Sequence, residues 1–334
     1  MKIHEKYIKR CIDLAKNGLP SAMPNPSVGA LLLVDDLIIA EGYTSAYGGN
    51  HAEVNAITYV QAHTPELLAK ATLYVTLEPC SHYGKTPPCA DLVIASGIPK
   101  VVIGTIDPHA KVAGSGIKKL MKAGINVTVG VLESKCYEVN KRFFTFHERK
   151  RPYILLKWAE TVDGFIAPTE RDKIAPVWIT NLYSRQLVHK WRSEEQAILV
   201  GAQTVLADNP SLTTRDWYGN SPLRVVLDER GDLPKEAAVF NEQAATVVIA
   251  SKDPKEIGRI LYEKGIQSVI VEGGANTLQR FIDADLWDEA RVFTGTTTFG
   301  KGTKAPVLTQ EQKSLSKSQD LKGDTLTTYK NNHS

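Results

Sequence analysis

The tightest constraint on how this chain folds comes from four side chains, His51, Glu53, Cys80 and Cys89. His51-Ala52-Glu53 opens a stretch of helical spacing that runs to Ala62. Thr76-Leu77-Glu78-Pro79-Cys80 leaves a strand-like apolar run, Thr72 to Leu77, and Cys89 opens a second helical stretch, to Ser96. One histidine and two cysteines suit tetrahedral zinc with a fourth position left to water, which the metal acidifies toward neutral pH. Glu53 stands two residues from the histidine and need not bind metal. It is placed to carry a proton from that water to a leaving amine.

Singly, each residue has an ordinary explanation. A histidine at a helix start is more often a cap, a lone cysteine is a small buried hydrophobe, and a first-turn glutamate is favoured by the helix dipole. All four in this pattern leave those explanations improbable. Cys11 falls on the apolar face of a helix and Cys136 has no partner motif, so both read as structural thiols. The usual deaminase signature has two residues between its cysteines. Here Ser81-His82-Tyr83-Gly84-Lys85-Thr86-Pro87-Pro88 intervene. This Pro-bounded loop brings His82 and Lys85 beside the metal, where a lysine would suit a phosphorylated substrate.

At 334 residues the chain is long enough for two domains of about 150. Helical spacing over 3–17, strands at 29–33 and 38–42 joined by an Asp35-Asp36 turn, and a helix from His51 with Asn50 as its N-cap open the first unit. A strand at 72–77, a helix at 89–96, a strand at 100–104, a helix at 116–123 and a strand at 126–130 follow. The charged stretch His147 to Arg151, ending in Pro152, marks the approach to a boundary, giving domains 1–147 and 148–334. The second half repeats the alternation, with strands at 153–159, 196–200, 223–227, 246–250, 268–271 and 291–295 and helices at 181–192, 254–264 and 276–284. Both halves read as α/β with largely parallel sheets. The polar tail after Leu315 reads as loosely structured.

The net charge of +3 gives no broad basic footprint for nucleic acid. Four cysteines are too few for a disulfide framework. The first residues lack the apolar core of a signal peptide. The apolar stretch Val28 to Ala40 is broken by Asp35-Asp36 and is far short of the ~20 residues of a membrane span. No membrane partner and a cytoplasmic location are therefore expected; a homo-oligomer is left open.

The run Pro79 to Cys89, with Asn25-Pro26-Ser27-Val28-Gly29-Ala30 upstream, closely resembles the bifunctional riboflavin biosynthesis deaminase/reductases. The second half agrees in order: Arg151-Pro152-Tyr153, Leu156-Lys157-Trp158-Ala159, Asp163-Gly164, Trp178-Ile179-Thr180, Ala197 to Gly201, Thr204 to Pro210, and Glu272-Gly273-Gly274. The resemblance implies a cytidine-deaminase-like three-layer domain followed by a dihydrofolate-reductase-like one. It implies hydrolytic removal of the 2-amino group of a diaminopyrimidinone ribosylamine 5′-phosphate, then NADPH-dependent reduction of the ribosyl group to ribityl, with one zinc ion per chain.

From the residues alone the reductase half is harder to read. It lacks Gly-x-Gly-x-x-Gly, so a Rossmann site is unsupported. Gly273-Gly274, between a strand and a helix, suit dinucleotide phosphates or simply a tight turn. Arg192 and Arg215 could fork onto a substrate phosphate. By similarity, Ala159, Trp178, Thr204, Asp208 and the segment Gly274, Ala275, Asn276, Thr277, Leu278, Gln279, Arg280 fall at cofactor positions. Asn25, Lys85, Arg192, Leu212, Arg215 and Glu272 fall at substrate positions, and Asp208 is expected near the hydride-receiving carbon. Three positions depart from the family pattern: Pro176 replaces a substrate-contacting serine, Thr161-Val162 a Ser-Leu, and Thr44 a frequent histidine. The competing readings are a single-activity nucleoside or nucleobase deaminase with an accessory C-terminal domain, and a binding module with structural zinc. The long Cys80–Cys89 loop speaks against the first and Glu53 against the second.

Overall fold

The computed structural model describes residues 2–83, 87–108 and 114–333. The chain divides into two compact units, Met1–Arg149 and Lys150–Ser334, each described by itself.

The first unit runs α1 (Lys2–Lys16), β1 (Gly29–Val34), β2 (Leu37–Tyr43), α2 (Ala52–His63), β3 (Thr72–Leu77), α3 (Cys89–Ala95), β4 (Lys100–Thr105), α4 (Ser115–Lys122), β5 (Asn126–Val129), α5 (Glu133–Val139) and α6 (Lys141–Arg149). Its five strands lie in the order β2-β1-β3-β4-β5. β3, β4 and β5 are parallel, while β1 is antiparallel to both neighbours. Asp35 and Asp36 both take positive φ (47° and 63°), the two-residue turn whose twist matches a hairpin. α1 and α5 cover one face through Tyr7, Ile8, Cys11 and Cys136. α2, α3 and α4 cover the other through Ala56, Ile57, Val93 and Leu120, together with Phe143 and Phe144 of α6. This is the expected three-layer arrangement. With both faces covered, β1 reads as an unbroken apolar run because all six residues are buried.

The second unit runs β6 (Tyr153–Glu160), β7 (Phe165–Pro168), α7 (Leu182–Glu194), β8 (Ala197–Gly201), α8 (Ala202–Asp208), β9 (Leu223–Leu227), β10 (Thr246–Ile249), α9 (Pro254–Glu263), β11 (Ser268–Val271), α10 (Ala275–Asp283), β12 (Glu289–Thr294), β13 (Gly302–Lys304), β14 (Lys313–Leu321) and β15 (Asp324–Asn331). The eight-stranded sheet is ordered β10-β9-β8-β11-β6-β12-β15-β14. The first six strands are parallel, and β15 and β14 close the edge antiparallel. Ile257 and Leu261 of α9 and Leu278 and Phe281 of α10 pack on one face with Trp287. Val188 and Trp191 of α7 and Val205 of α8 pack on the other. Within β9, Arg224 is fully buried. Its guanidinium donates to the carbonyls of Ser211, Ala238, Asn241 and Ala244 and to Asn241 Oδ1, gathering the α8–β9 and β9–β10 connections without a carboxylate.

Two expectations are corrected here. The tail after Leu315 forms most of β14 and all of β15. It reads as polar because this edge hairpin wets most of its surface, while Leu326 points into the core. The stretch His147 to Arg151, read as the approach to a boundary, is helical up to Arg149 as the end of α6, and α5 and α6 before it bury Cys136, Phe143 and Phe144. Among the described residues no helix is long and apolar enough to cross a membrane.

Candidate active sites

In the first unit, α2 can start where it does because Gly42 has no side chain. A Cβ there would lie 2.3 Å from the Ala52 carbonyl oxygen. His51, not Asn50, is the N-cap of α2, and its side chain makes no capping bond. Its Nδ1 instead faces Cys89 Sγ at 3.3 Å and Cys80 Sγ at 3.7 Å. Cys89 is the first residue of α3, and its backbone N–H donates to Cys80 Sγ at 3.2 Å. The three donor atoms all lie within 4.8 Å of one another. Hydrogen bonding from the Cys89 thiol pulls Cys80 down to about 4 against burial, with His51 adding to the pull. Sharing that proton, together with burial, pushes Cys89 up. A thiolate, a second thiol and an imidazole at this spacing fit a borderline-soft divalent ion. Glu53, 3% exposed in the first turn of α2, is pushed up to about 7 by burial and by Cys80 beside it. A carboxyl of that affinity exchanges protons at neutral pH.

Glu78 was not singled out in the sequence, yet it anchors the backbone two residues ahead of Cys80. Its buried carboxylate accepts the backbone N–H groups of Asp107 (3.3 Å), Gly114 (2.9 Å), Gly116 (2.8 Å) and Ile117 (3.2 Å). The start of α4 is thereby drawn onto the end of β3, and only a glycine fits at 116, where a Cβ would meet the Pro79 carbonyl oxygen at 2.1 Å. The signal available was Glu-Pro-Cys itself, a carboxylate where an apolar strand ends.

Asn25 is half-buried just ahead of β1. β1 starts beside the end of β3, Gly29 N–H reaching Thr76 Oγ1 at 3.2 Å, so the chain enters β1 from Asn25 at the same end of the sheet from which β3 leads to Cys80. Lys85 lies outside the described residues, and His82 is exposed. Thr44 is buried, its hydroxyl accepting Val28 N–H at 2.8 Å, so in place of a histidine it ties β2 to β1.

In the second unit the chain steps outward from β8 to β10 and returns on the other side of β8 with β11. Such a reversal opens a crevice beyond the carboxyl ends of the strands. There the turns after β8 and β11 touch. A Cβ on Gly201 would lie 2.8 Å from Thr277 Oγ1, and one on Gly273 would lie 3.2 Å from Gly201 N. Gly274, the N-cap of α10, donates to Thr204 Oγ1 at 2.9 Å. A cavity of about 270 Å³ opens alongside, with Gly201, Arg230, Lys252, Asn276, Thr277 and Arg280 in its wall.

Glu272 directly follows the last residue of β11. Its carboxylate takes Arg192 Nη2 at 2.8 Å and Nε at 3.3 Å, and Lys157 Nζ lies 3.9 Å away. Burial would raise Glu272, but Arg192 and Lys157 overcome it and hold the group at about 2. Burial lowers Lys157 in turn, with Glu272 offsetting part of the effect. Lys157 was quoted in a motif but given no role, although one lysine amid the buried residues of β6 was the clue. Arg192 Nη1 donates to the Thr213 carbonyl at 3.2 Å, and Arg215 Nη1 donates to Thr213 Oγ1 at 3.2 Å.

The remaining positions divide. Asn276, Thr277 and Arg280 border the cavity. The Leu278 side chain is in the core, and Gln279 bonds Asp283 and Val307. Ala275 begins α10, and Ala159 packs beside Leu155 and Phe293. Trp178 is 57% exposed and stacks on Arg185. Asp208 pairs with Arg171. The Leu212 side chain packs with Val200 and Val226, and its φ of 54° turns the chain sharply there. Thr161 is buried and bonds Asp163 and Phe165 N–H, closing a turn, while Pro176 is exposed.

Residues 1–105 match the cytidine and deoxycytidylate deaminase zinc-binding region, and 152–332 the RibD C-terminal domain. The chain is 39% identical over 325 residues to the riboflavin biosynthesis protein RibD of Aquifex aeolicus, covering 90% of this chain and 89% of that one. It is 40% identical over 334 residues to RibD of Bacillus amyloliquefaciens, covering 92% and 88%. The crystal structure of a diaminohydroxyphosphoribosylaminopyrimidine deaminase/5-amino-6-(5-phosphoribosylamino)uracil reductase from Thermotoga maritima superposes with a TM-score of 0.89, at 39% identity and 99% coverage of both chains. Acinetobacter baumannii RibD superposes with 0.88, at 31% identity and 99% of both. Matched over 90% or more of its length in sequence and 99% in fold, the chain belongs to the bifunctional deaminase/reductase family of riboflavin biosynthesis.

Proposed function

We propose that the first unit deaminates a phosphorylated diaminopyrimidine on a zinc centre held by His51 Nδ1, Cys80 Sγ and Cys89 Sγ, and that the second unit reduces the product with NADPH. The observation that carries this reading is the convergence of those three donors beside the buried carboxyl of Glu53. When bound, zinc makes the attacking water acidic enough to ionise near neutral pH. Glu53 takes the water's proton as the oxygen attacks the carbon bearing the amine, and returns it to the nitrogen. The C–N bond then breaks and ammonia leaves. Asn25 and Lys85 are the proposed contacts to the substrate.

In the second unit, NADPH when bound supplies the hydride, and the protein's task is to aim it. The acceptor is C1′ of the ribosyl group, electrophilic once the sugar opens to an imine. Asn276, Thr277 and Arg280, with the turn at Gly274 and Thr204, are the proposed cofactor cradle, and Ala159, Trp178 and Asp208 extend it. Leu278 would contribute through its backbone, since its side chain is committed to the core. Arg215 is the proposed phosphate contact. Arg192 joins it with one N–H left on each terminal nitrogen, its outer edge being oriented by Glu272; Leu212 shapes the same loop. The proposed compartment is the cytoplasm, where these thiols stay reduced.

The test uses the full chain with NADPH. Chelating zinc should abolish NADPH consumption driven by the diaminopyrimidine substrate and spare consumption driven by the already deaminated one. NADPH consumption from the diamino compound that survives complete zinc removal would refute the assignment.

A further inference from the structure

We infer that His189 is a positioning residue of the reductase site, holding the backbone of the Thr213–Asp216 segment so that Arg215 and Arg192 converge on one substrate anion. The inference rests on the proposed reading of those arginines as phosphate contacts.

His189 and Arg192 are three residues apart on α7 and so share a face. His189 Nδ1 accepts the backbone N–H of Arg215 at 3.1 Å, and Arg192 Nη1 donates to the Thr213 carbonyl at 3.2 Å. One helix face therefore grips the segment at two peptide groups, as an acceptor at one and a donor at the other. Both guanidinium groups meet at Thr213, Arg192 on its carbonyl and Arg215 on its hydroxyl.

The imidazole is 5% exposed. An accepting Nδ1 requires the neutral ring with its proton on Nε2, and Nε2 faces the Asp216 carboxylate at 3.4 Å. The charged groups around it are Arg192 on its own helix, Arg215 and Asp216 on the segment, and Glu272 at the end of β11. Burial, then Arg192 and Arg215, push the ring down to about 4. The Nδ1 lone pair therefore stays available across the neutral range. His189 acts through Arg215 and has no part in hydride transfer.

The experiment compares full-length His189→Leu and His189→Asn with the parent and with Arg215→Ala. NADPH oxidation is followed with 5-amino-6-(5-phosphoribosylamino)uracil as substrate, and NADPH binding is titrated separately. Leucine removes the acceptor, whereas the asparagine oxygen stands where Nδ1 does. Losing one buried hydrogen bond that orients the site should raise KM about 10-fold in His189→Leu with kcat within about 3-fold. NADPH affinity should be unchanged. His189→Asn should stay within about 3-fold of the parent KM. If the leucine variant is insoluble, His189→Gln replaces it, because its amide reaches the Nε2 position and should fail likewise. A parental KM in the leucine or glutamine variant overturns the inference, as does an asparagine variant no better than leucine, or a loss of NADPH affinity. If Arg215→Ala also leaves KM unchanged, the phosphate reading itself is wrong. If Arg215→Ala raises KM while His189→Leu does not, only the positioning role fails.

Discussion

Replacing Glu272 by glutamine keeps its size and one acceptor while removing the charge that faces Arg192 and Lys157. The Glu272 and Arg192 side chains are 10% and 11% exposed, and that of Lys157 is 16% exposed, so solvent screens little of this interaction. The folded carboxylate is held at about 2 against an ordinary 4.5, a difference corresponding to about 3 kcal/mol. Removing one partner of a buried pair costs roughly 3–5 kcal/mol, because the other charge is stranded. The glutamine oxygen can still accept from Arg192, so a loss of about 2–4 kcal/mol is expected. The chain supplies its own probe, since all five tryptophans lie between residues 158 and 287, inside the second unit. Urea unfolding followed by tryptophan fluorescence therefore reads that unit alone. The sign of the pH effect follows from the depressed folded pKa. The contribution is fully present above about 4.5 and is lost as pH falls toward about 2. Parent and Glu272→Gln should therefore differ most at neutral pH and converge in acid. A difference under about 0.5 kcal/mol at pH 7, or one that grows on acidification, would refute the reasoning.

Cys80→Ser should lose most of its bound zinc by elemental analysis, and full retention would remove Cys80 from the ligand set. Glu53→Gln should keep zinc while deamination falls at least about 10²-fold, measured as ammonia release, since general acid–base help is typically worth that much or more. Gly116→Ala forces a Cβ onto the Pro79 carbonyl, 2.1 Å away, and so should weaken zinc binding measured by competition with a chromophoric chelator. Fragments 1–147 and 148–334 should each keep one activity, and soluble but inactive fragments would show that the two sites depend on each other.

The convergence of the proposed zinc ligands was legible because its chemistry is written in residue type. Histidine and cysteine at helix starts have few competing uses in this combination, and the apolar runs of the buried parallel strands announced the sheets on which they stand. The C-terminal hairpin escaped because an edge strand wetted on most of its surface carries little apolar periodicity, and its register with β12 is set by long-range pairing. α5 and α6 escaped for a related reason, since a handful of core contacts in a charged stretch gives a weak helical signal. In the reductase half, Arg192 and Arg215 were found as residues, but their unequal commitments were not. Nothing local to Arg192 announces that Glu272, eighty positions away, occupies its edge. Lys157, Glu78 and His189 were missed because each acts through backbone groups or charges that only the fold brings near.

Arg224 carries a consequence for motion. Loops that bear binding groups are usually drawn from the low-stability end of a protein and open far more often than the molecule unfolds. The segment beginning at Ser211 is instead tied from beneath to β9, one strand in from the edge of the sheet, by a guanidinium that never loses its proton. Lifting it breaks that bond and uncovers part of a fully buried charge, which keeps its bonds to Ala238, Asn241 and Ala244. Amides of residues 212–215 should therefore exchange with deuterium more slowly than those of an untied surface loop, and the loop that carries the proposed phosphate contact Arg215 should move with the core.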